Sequence, residues 1–342
     1  MTSLGIDSTC RPKRPPVALV PLGPLPRCPL VSIVIPSFNQ GRFIRETIDS
    51  ILSQDYRPLE IIVMDGGSRD NTVTVLESYA ATPELNWVSR SDGGVVDAVN
   101  QGLARATGNV IGIQSSDDAY LPGAIGAVVA AFTSNPAAGL VSGGAVKVDA
   151  EGRTLWDLPG SDRYLLRDHL LTRCSVLQCS AFFRRELLEA CGGWDEGIPY
   201  TPDTDLWIRF AFRTEVQPIS RALSRLRAHE DQRDKQVARI AKDYSRMIAQ
   251  SPDLAGASED LQRAAEAGKH LIAAKYSSGY SDWIAAWHVW RAGRWVPDVR
   301  DRRRTWRLLG RPFQRLGSRL KNLFGVRTSR RSSLLTDVTE RG

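Results

Sequence analysis

The sequence predicts an α/β fold built on a mostly parallel central sheet, followed by a helical extension. Two observations carry the prediction. Between residues 31 and 114, compact β-branched runs alternate four times with stretches of helical periodicity, the signature of strand–helix–strand units with right-handed crossovers. The second and fourth of these runs lead into acids, at Asp65 and at Asp117-Asp118. Parallel strands deliver such ends to one edge, where the crevice of an open α/β sheet lies. Packing alone does not call for acids at both.

Taken in order, the first 29 residues hold seven prolines and little patterning, and they read as a Pro-rich flexible leader. Val31-Ser-Ile-Val-Ile35 is a buried parallel strand stopped by Pro36. Residues 41–54 carry Phe43, Ile44, Thr47, Ile48, Ile51 and Leu52 at helical spacing. Glu60–Asp65 is the second strand, closed by Gly66-Gly67-Ser68, and residues 69–80 form the next helix. Leu85–Ser89 is a short strand, residues 93–107 a helix, and Asn109–Gln114 the strand that delivers Ser115-Ser116-Asp117-Asp118. A new helix is expected to start near Pro122. The second half is less regular: strands at 140–148 and 153–156, a strand at 175–183, a helix at 184–191 ending on Gly192-Gly193, and a helix at 203–213. Helices then follow at 232–250, 258–277 and 281–293, the last one holding Trp283, Trp287 and Trp290.

The bulk numbers fit a globular chain. Its 342 residues, 42% hydrophobic and 24% charged, can bury a full core, and no run of 18 apolar residues suggests a membrane span. Five cysteines (Cys10, Cys28, Cys174, Cys179, Cys191) lack paired zinc-type spacing. They read as thiols in a reducing, cytoplasmic compartment. The net charge of +7 is concentrated late, since residues 288–342 hold 15 Lys/Arg against 4 Asp/Glu. Within that stretch Leu309, Phe313, Leu316, Leu320 and Leu323/Phe324 recur at helical steps among arginines. This basic amphipathic segment suits either peripheral contact with the inner face of a membrane, through residues 295–324, or packing on the rest of the chain or a partner.

Adjacent carboxylates at a buried strand end are costly unless a positive group meets them. For Asp117-Asp118 the best-fitting partner is a hard divalent cation carrying a diphosphate; a solvated turn with an Asp N-cap is the alternative.

Six motifs then occur in one order: Val31-Ser-Ile-Val-Ile-Pro-Ser-Phe-Asn39, Glu60-Ile-Ile-Val-Met-Asp-Gly-Gly-Ser68, Ser91-Asp-Gly-Gly-Val-Val-Asp-Ala-Val-Asn100, Ser116-Asp-Asp118, Gly192-Gly-Trp-Asp-Glu196 and Asp203-Thr-Asp-Leu-Trp-Ile-Arg209. With these, residues 30–230 resemble a family 2 glycosyltransferase of the GT-A fold. The resemblance implies inverting transfer from a nucleotide sugar, as a rule UDP-linked, to a saccharide or lipid-linked acceptor hydroxyl, in cell-surface polysaccharide or glycolipid synthesis. It implies Asp203 as catalytic base, and Pro36, Ser37, Asn39, Asp65, Asp92 and Asp117 around the donor nucleotide. Trp194 and Asp195 fall on the acceptor side, and Asp118 with His229 would hold Mg²⁺ or Mn²⁺. Arg227 and Arg233 are further candidates for phosphate contacts. Each residue has a plainer alternative: a helix cap for Asp65 and Asp203, a surface pair with Arg90 for Asp92, a core position for Trp194 and a surface place for His229. The Ser-Asp-Asp motif also departs from the spaced Asp-x-Asp of many relatives.

The expected organisation is a leader at 1–29, the GT-A domain at 30–230, a helical extension at 231–296 and the basic tail at 297–342. A nucleotidyltransferase of related fold would need a Lys- or Arg-bearing glycine-rich loop after the first strand, whereas Pro36–Gly41 has no Lys. A nucleic-acid-binding protein driven by the tail, or a non-catalytic scaffold, would leave the crevice motifs unexplained.

Overall fold

A computed structural model describes residues 18–173, 176–230, 237–277 and 281–297. The first 17 residues of the expected leader, and the expected tail beyond Pro297, lie outside the described residues. Residues 18–29 are laid against the domain: the Val20 amide donates to the Arg213 carbonyl, and the Tyr56 hydroxyl donates to the Pro29 carbonyl.

The first half follows the predicted alternation. Strands β1 (Val31–Ser37), β2 (Leu59–Asp65), β3 (Leu85–Ser89) and β4 (Val110–Ile113) alternate with α1 (Ile44–Leu52), α2 (Thr72–Glu77) and α3 (Val95–Leu103). β1 pairs in parallel with both β2 and β4, and β2 pairs with β3. β1 is buried along its whole length, as a strand covered on both faces must be. Its side chains split cleanly by parity. Val31, Ile33 and Ile35 meet α1 and α4 (Ala124–Ser134), while Val34 joins α3 and α7 (Pro202–Ala211) on the other face. Helix α1 begins at Ile44 and not at Gly41, because Gln40 and Gly41 donate their amides to Thr72 and Asp70 in the neighbouring loop.

The second half is mixed, where a mostly parallel sheet was expected. It adds β5 (Ala119–Tyr120), β6 (Ala138–Val148), β7 (Thr154–Leu158), α5 (Leu166–Leu170), β8 (Ala181–Arg184), α6 (Arg185–Cys191) and β9 (Glu215–Arg227). The sheet order is β3-β2-β1-β4-β8-β6-β9-β5, with β7 on β6. β8 runs antiparallel to both neighbours, whereas β6 and β9 are parallel. The strand expected at 175–183 is reduced to β8, because residues 178–180 form a tight helical turn. β9 escapes the sequence pattern altogether. Pro218 and three arginines interrupt it, much of it is exposed, and its pairing with β6 breaks register three times.

Helices α8 (Val237–Gln250), α9 (Pro252–Ala255), α10 (Glu259–Ser277) and α11 (Asp282–Trp295) build a third core with α5 and the outer side of α7. Gly268 lets α10 approach α5, since a Cβ there would lie 2.0 Å from the Leu170 carbonyl oxygen. The Arg213 guanidinium makes a bidentate pair with Asp253 at 2.6 and 2.9 Å.

His169 sits in this interface, 6% exposed, with its ring near Tyr164 and its Nδ1 without a hydrogen-bond partner among the described residues. Burial pushes its pKa down to about 4. The unfolded chain therefore binds a proton that the native chain refuses between about pH 6.5 and 4. Stability from this site is complete above about pH 6.5 and falls as the pH drops through that window, by up to about 3 kcal/mol. Unfolding midpoints in denaturant should fall on acidification, and His169→Gln should flatten that limb. An unchanged limb in the variant would remove His169 from the account.

Candidate functional site

The ends of β1, β2 and β3 are stitched together before any ligand is considered. The Asn39 amide donates to Ser68 Oγ at 2.7 Å, and Asn39 Oδ1 accepts from the Arg69 amide at 2.9 Å. These bonds hold Asn39 at a φ of 53°, a left-handed conformation that Asn tolerates better than most residues. Asp65 is 2% exposed and accepts from the Ser68 amide at 2.9 Å, the Ser68 hydroxyl at 2.5 Å and the Ser89 hydroxyl at 2.6 Å. Its carboxylate thus organises the Gly66-Gly67-Ser68 loop and ties it to β3. Asp92 leans over the same loop. A Cβ on Gly66 would come within 3.1 Å of both its oxygens, so a larger residue there would push Asp92 aside by a few tenths of an ångström. Pro36 lies within β1 opposite Met64. Ser37 Oγ is buried and has no partner among the described residues, and both polar atoms of Gln114 are in the same state. The two side chains follow the Ile33–Ile35 side of the sheet, at the ends of β1 and β4.

Beyond β4, the two adjacent acids take opposite roles. Asp118 is 3% exposed, and its Oδ1 accepts from the Arg227 amide at 2.8 Å while its carbonyl accepts from the Thr47 hydroxyl at 2.7 Å. Burial, reinforced by the Asp117 charge, pushes its carboxyl well above the usual carboxylate range. Asp117 instead meets His229, with Oδ2 and Nε2 2.9 Å apart. The imidazole packs on Phe43, ring centroids 5.0 Å apart. The expectation groups His229 with Asp118, whereas in this structure the imidazole lies against Asp117. Arg227, expected as a candidate for phosphate contacts, is engaged by the protein itself. It donates to the carbonyls of Asp117 and Ala150, pairs with Glu46 at 2.5 Å and stacks over Phe43, so it clamps the loop and has little surface left for a phosphate. Arg233 lies outside the described residues.

The 2.9 Å between these two atoms is a hydrogen-bond distance, and both are atoms that a Mg²⁺ or Mn²⁺ ion could take as ligands in place of each other. Among the described residues no cluster of three or more His, Cys, Asp or Glu could hold a metal. An ion here would take its remaining ligands from diphosphate and water, the usual arrangement for Mg²⁺ in phosphate-handling sites.

The loop at 192–196 is held from two directions. Asn100 clamps the Trp194 backbone, accepting from its amide at 2.8 Å and donating to its carbonyl at 2.9 Å. A Cβ on Gly193 would lie 2.4 Å from the Asn100 side-chain oxygen. The Trp194 indole is 5% exposed within the core of the α3–α7 face. Core side chains cover the ring expected to stack on a sugar. Asp195 is exposed and accepts from the Gly197 amide. On α7, Asp203 stands half-buried in the first turn. Asp205, two residues on, pairs with Arg209 at 2.7 Å, and Arg209 donates to the carbonyls of Cys191 and Gly193. Burial raises the Asp205 pKa against the pull of Arg209. A cavity of about 330 Å³ opens beside this loop, between Asp195, Arg209 and the α8–α9 turn, and the residues at the β1–β4 ends do not line it.

Glu46, Phe43, Asn100 and Arg209 are the supporting residues that the sequence reading did not single out as such. Asn100 and Arg209 already close two of the motifs, which was the available signal.

An α/β sheet with acids gathered at one edge, and a helical face behind it, is in keeping with the expected GT-A fold. Solved structures agree on the fold. S. aureus TarS 1–349 in complex with UDP-GlcNAc superposes with a TM-score of 0.59 at 13% identity, covering 83% of this chain and 91% of that one. The mannosyltransferase PcManGT from Pyrobaculum calidifontis, in complex with GDP-Man and Mn²⁺, gives 0.57 at 20% identity, covering 89% and 90%. Residues 32–192 match the family model described as Glycosyl transferase family 2. An uncharacterized glycosyltransferase of Rickettsia typhi is 31% identical over 215 residues, covering 60% of this chain. The chain spans 65% of that relative's length, slightly under two thirds.

Proposed function

We propose that this chain is an inverting glycosyltransferase that moves a sugar from a nucleotide-sugar donor to a hydroxyl of a saccharide or lipid-linked acceptor. The observation that carries the reading is the Asp117–His229 pair, seated on Phe43 at the end of β4. Asp117 and His229 would hold a Mg²⁺ or Mn²⁺ ion, which would supply Lewis-acid stabilisation to the departing diphosphate. Ser37, whose buried hydroxyl has no partner among the described residues, contributes a hydrogen bond to the donor nucleotide. Pro36, Asn39 and Asp65 shape the same pocket, and Asp92 flanks it. A UDP-linked donor is the reading we favour.

Asp203 is assigned as the general base. The acceptor hydroxyl gives its proton to the Asp203 carboxylate as its oxygen bonds to the sugar C1. The C1–O bond to the diphosphate breaks on the opposite face, and the nucleoside diphosphate leaves with the electron pair. One carboxylate on the protein is enough for inversion. Asp195 lines the acceptor approach, and Asp205 keeps the loop in place through Arg209. Products of this kind fit cell-surface polysaccharide or glycolipid synthesis. No helix among the described residues is long and apolar enough to cross a membrane, and peripheral contact through residues 295–324 is the matching proposal for a lipid-linked acceptor.

Release of nucleoside diphosphate from a panel of UDP- and GDP-sugars, with and without Mn²⁺ or Mg²⁺, tests the reading. Metal-dependent release from one donor is expected. A folded chain that binds no nucleotide sugar would overturn the proposal.

A further inference from the structure

Helix α11 is apolar on two opposite sides. Ala285, Val289, Ala292 and Val296 are buried, and the helix packs along α10. At about 100° per residue, Trp283, Trp287, Trp290 and Arg294 form a single stripe directly opposite that buried row. Trp283 is 52% exposed, Trp287 50% and Trp290 47%, with Ile284 and Trp295 exposed along the flank. A helix that is apolar all round is ordinarily buried all round. With 14 residues α11 is too short to span a bilayer. An exposed aromatic row of this length marks an interaction surface.

We propose that this face of α11 docks the protein on an anionic membrane surface, with the three indoles seated at headgroup level. Three features choose that occupant over a protein groove. The outward row is Trp rather than Leu or Val, and indoles favour the membrane–water boundary. Arg291 and Arg294 stack over Trp287 and Trp290, so cations stand among the rings where lipid phosphates would lie. Residues 283–297 contain no acid, and the chain continues into residues 298–342 with 13 Lys/Arg against 4 Asp/Glu. An aromatic face flanked by arginines is the composition of an interfacial helix. The surface is separate from the crevice and does not rest on the transferase reading.

The test is co-sedimentation of the full-length protein with phosphatidylcholine vesicles, with and without phosphatidylglycerol, at low and high salt. Purely electrostatic binding by the basic segment is screened at high salt, whereas indole insertion persists. The wild type should bind anionic vesicles, and part of that binding should survive salt. The combined Trp283→Ser, Trp287→Ser and Trp290→Ser variant should lose about tenfold or more of the salt-resistant binding. Its circular dichroism and its release of nucleoside diphosphate from a soluble donor should stay unchanged, which separates this inference from the fate of the proposed activity. Equal salt-resistant binding by the variant would overturn the proposal. So would a wild type that ignores vesicles, whether α11 is then found to join two copies of the chain, with the variant monomeric, or to be covered by residues 298–342.

Discussion

Asp117→Ala is expected to lower turnover by roughly a thousandfold, about 4 kcal/mol of transition-state stabilisation. The metal dependence of donor binding should disappear with it. The argument rests on which of two adjacent acids the crevice can use. Asp117 stands with its carboxylate against His229, 2.9 Å away. Asp118 is buried with its oxygen already committed to the Arg227 amide. Calorimetric titration of Mn²⁺ and a nucleoside diphosphate into each variant distinguishes the two. Asp117→Ala should bind the nucleotide with no gain from Mn²⁺, while Asp118→Asn, which can still accept from the Arg227 amide, should keep that gain. The reverse pattern would return the metal to Asp118.

This difference between neighbours also shows where the sequence stops informing. Strands β1 and β2 were legible because a fully buried strand must be a run of β-branched and aliphatic residues, and little else competes for such a run. That acids collect at the strand ends follows from parallel pairing alone. Which acid faces outward does not. Arg227 and His229 make that choice from the far side of the chain, and β9, which delivers them, carries a broken apolar pattern with Pro218 inside it.

The same physics explains Trp194 and Asp65. A tryptophan beside two glycines reads equally as a sugar platform or as core, and Asn100 decides the matter from α3 by gripping its backbone. Asp65 keeps its place at the crevice, yet its oxygens are largely engaged by Ser68 and Ser89. In the proposed donor site it would therefore act largely through the loop it shapes.

Asp203→Asn should leave donor binding intact and lower turnover by about a hundred- to ten-thousandfold. The substitution preserves size and polarity in the first turn of α7, where both Asp and Asn are compatible with the helix N-terminus. A residue that only supports the helix would therefore show a shifted unfolding midpoint and a modest loss of rate. A proton acceptor would show the opposite, with unchanged stability, unchanged affinity for the nucleotide and a rate that falls away. Asp205→Asn provides the contrast on the same helix. It removes the charge that Arg209 pairs with, so it should lower the unfolding midpoint and weaken acceptor use while the chemistry survives. Single-turnover measurements with saturating donor separate these outcomes. If Asp205→Asn stops the chemical step and Asp203→Asn does not, the base lies at Asp205, and the Arg209 pair would belong to the reaction as well as to the loop.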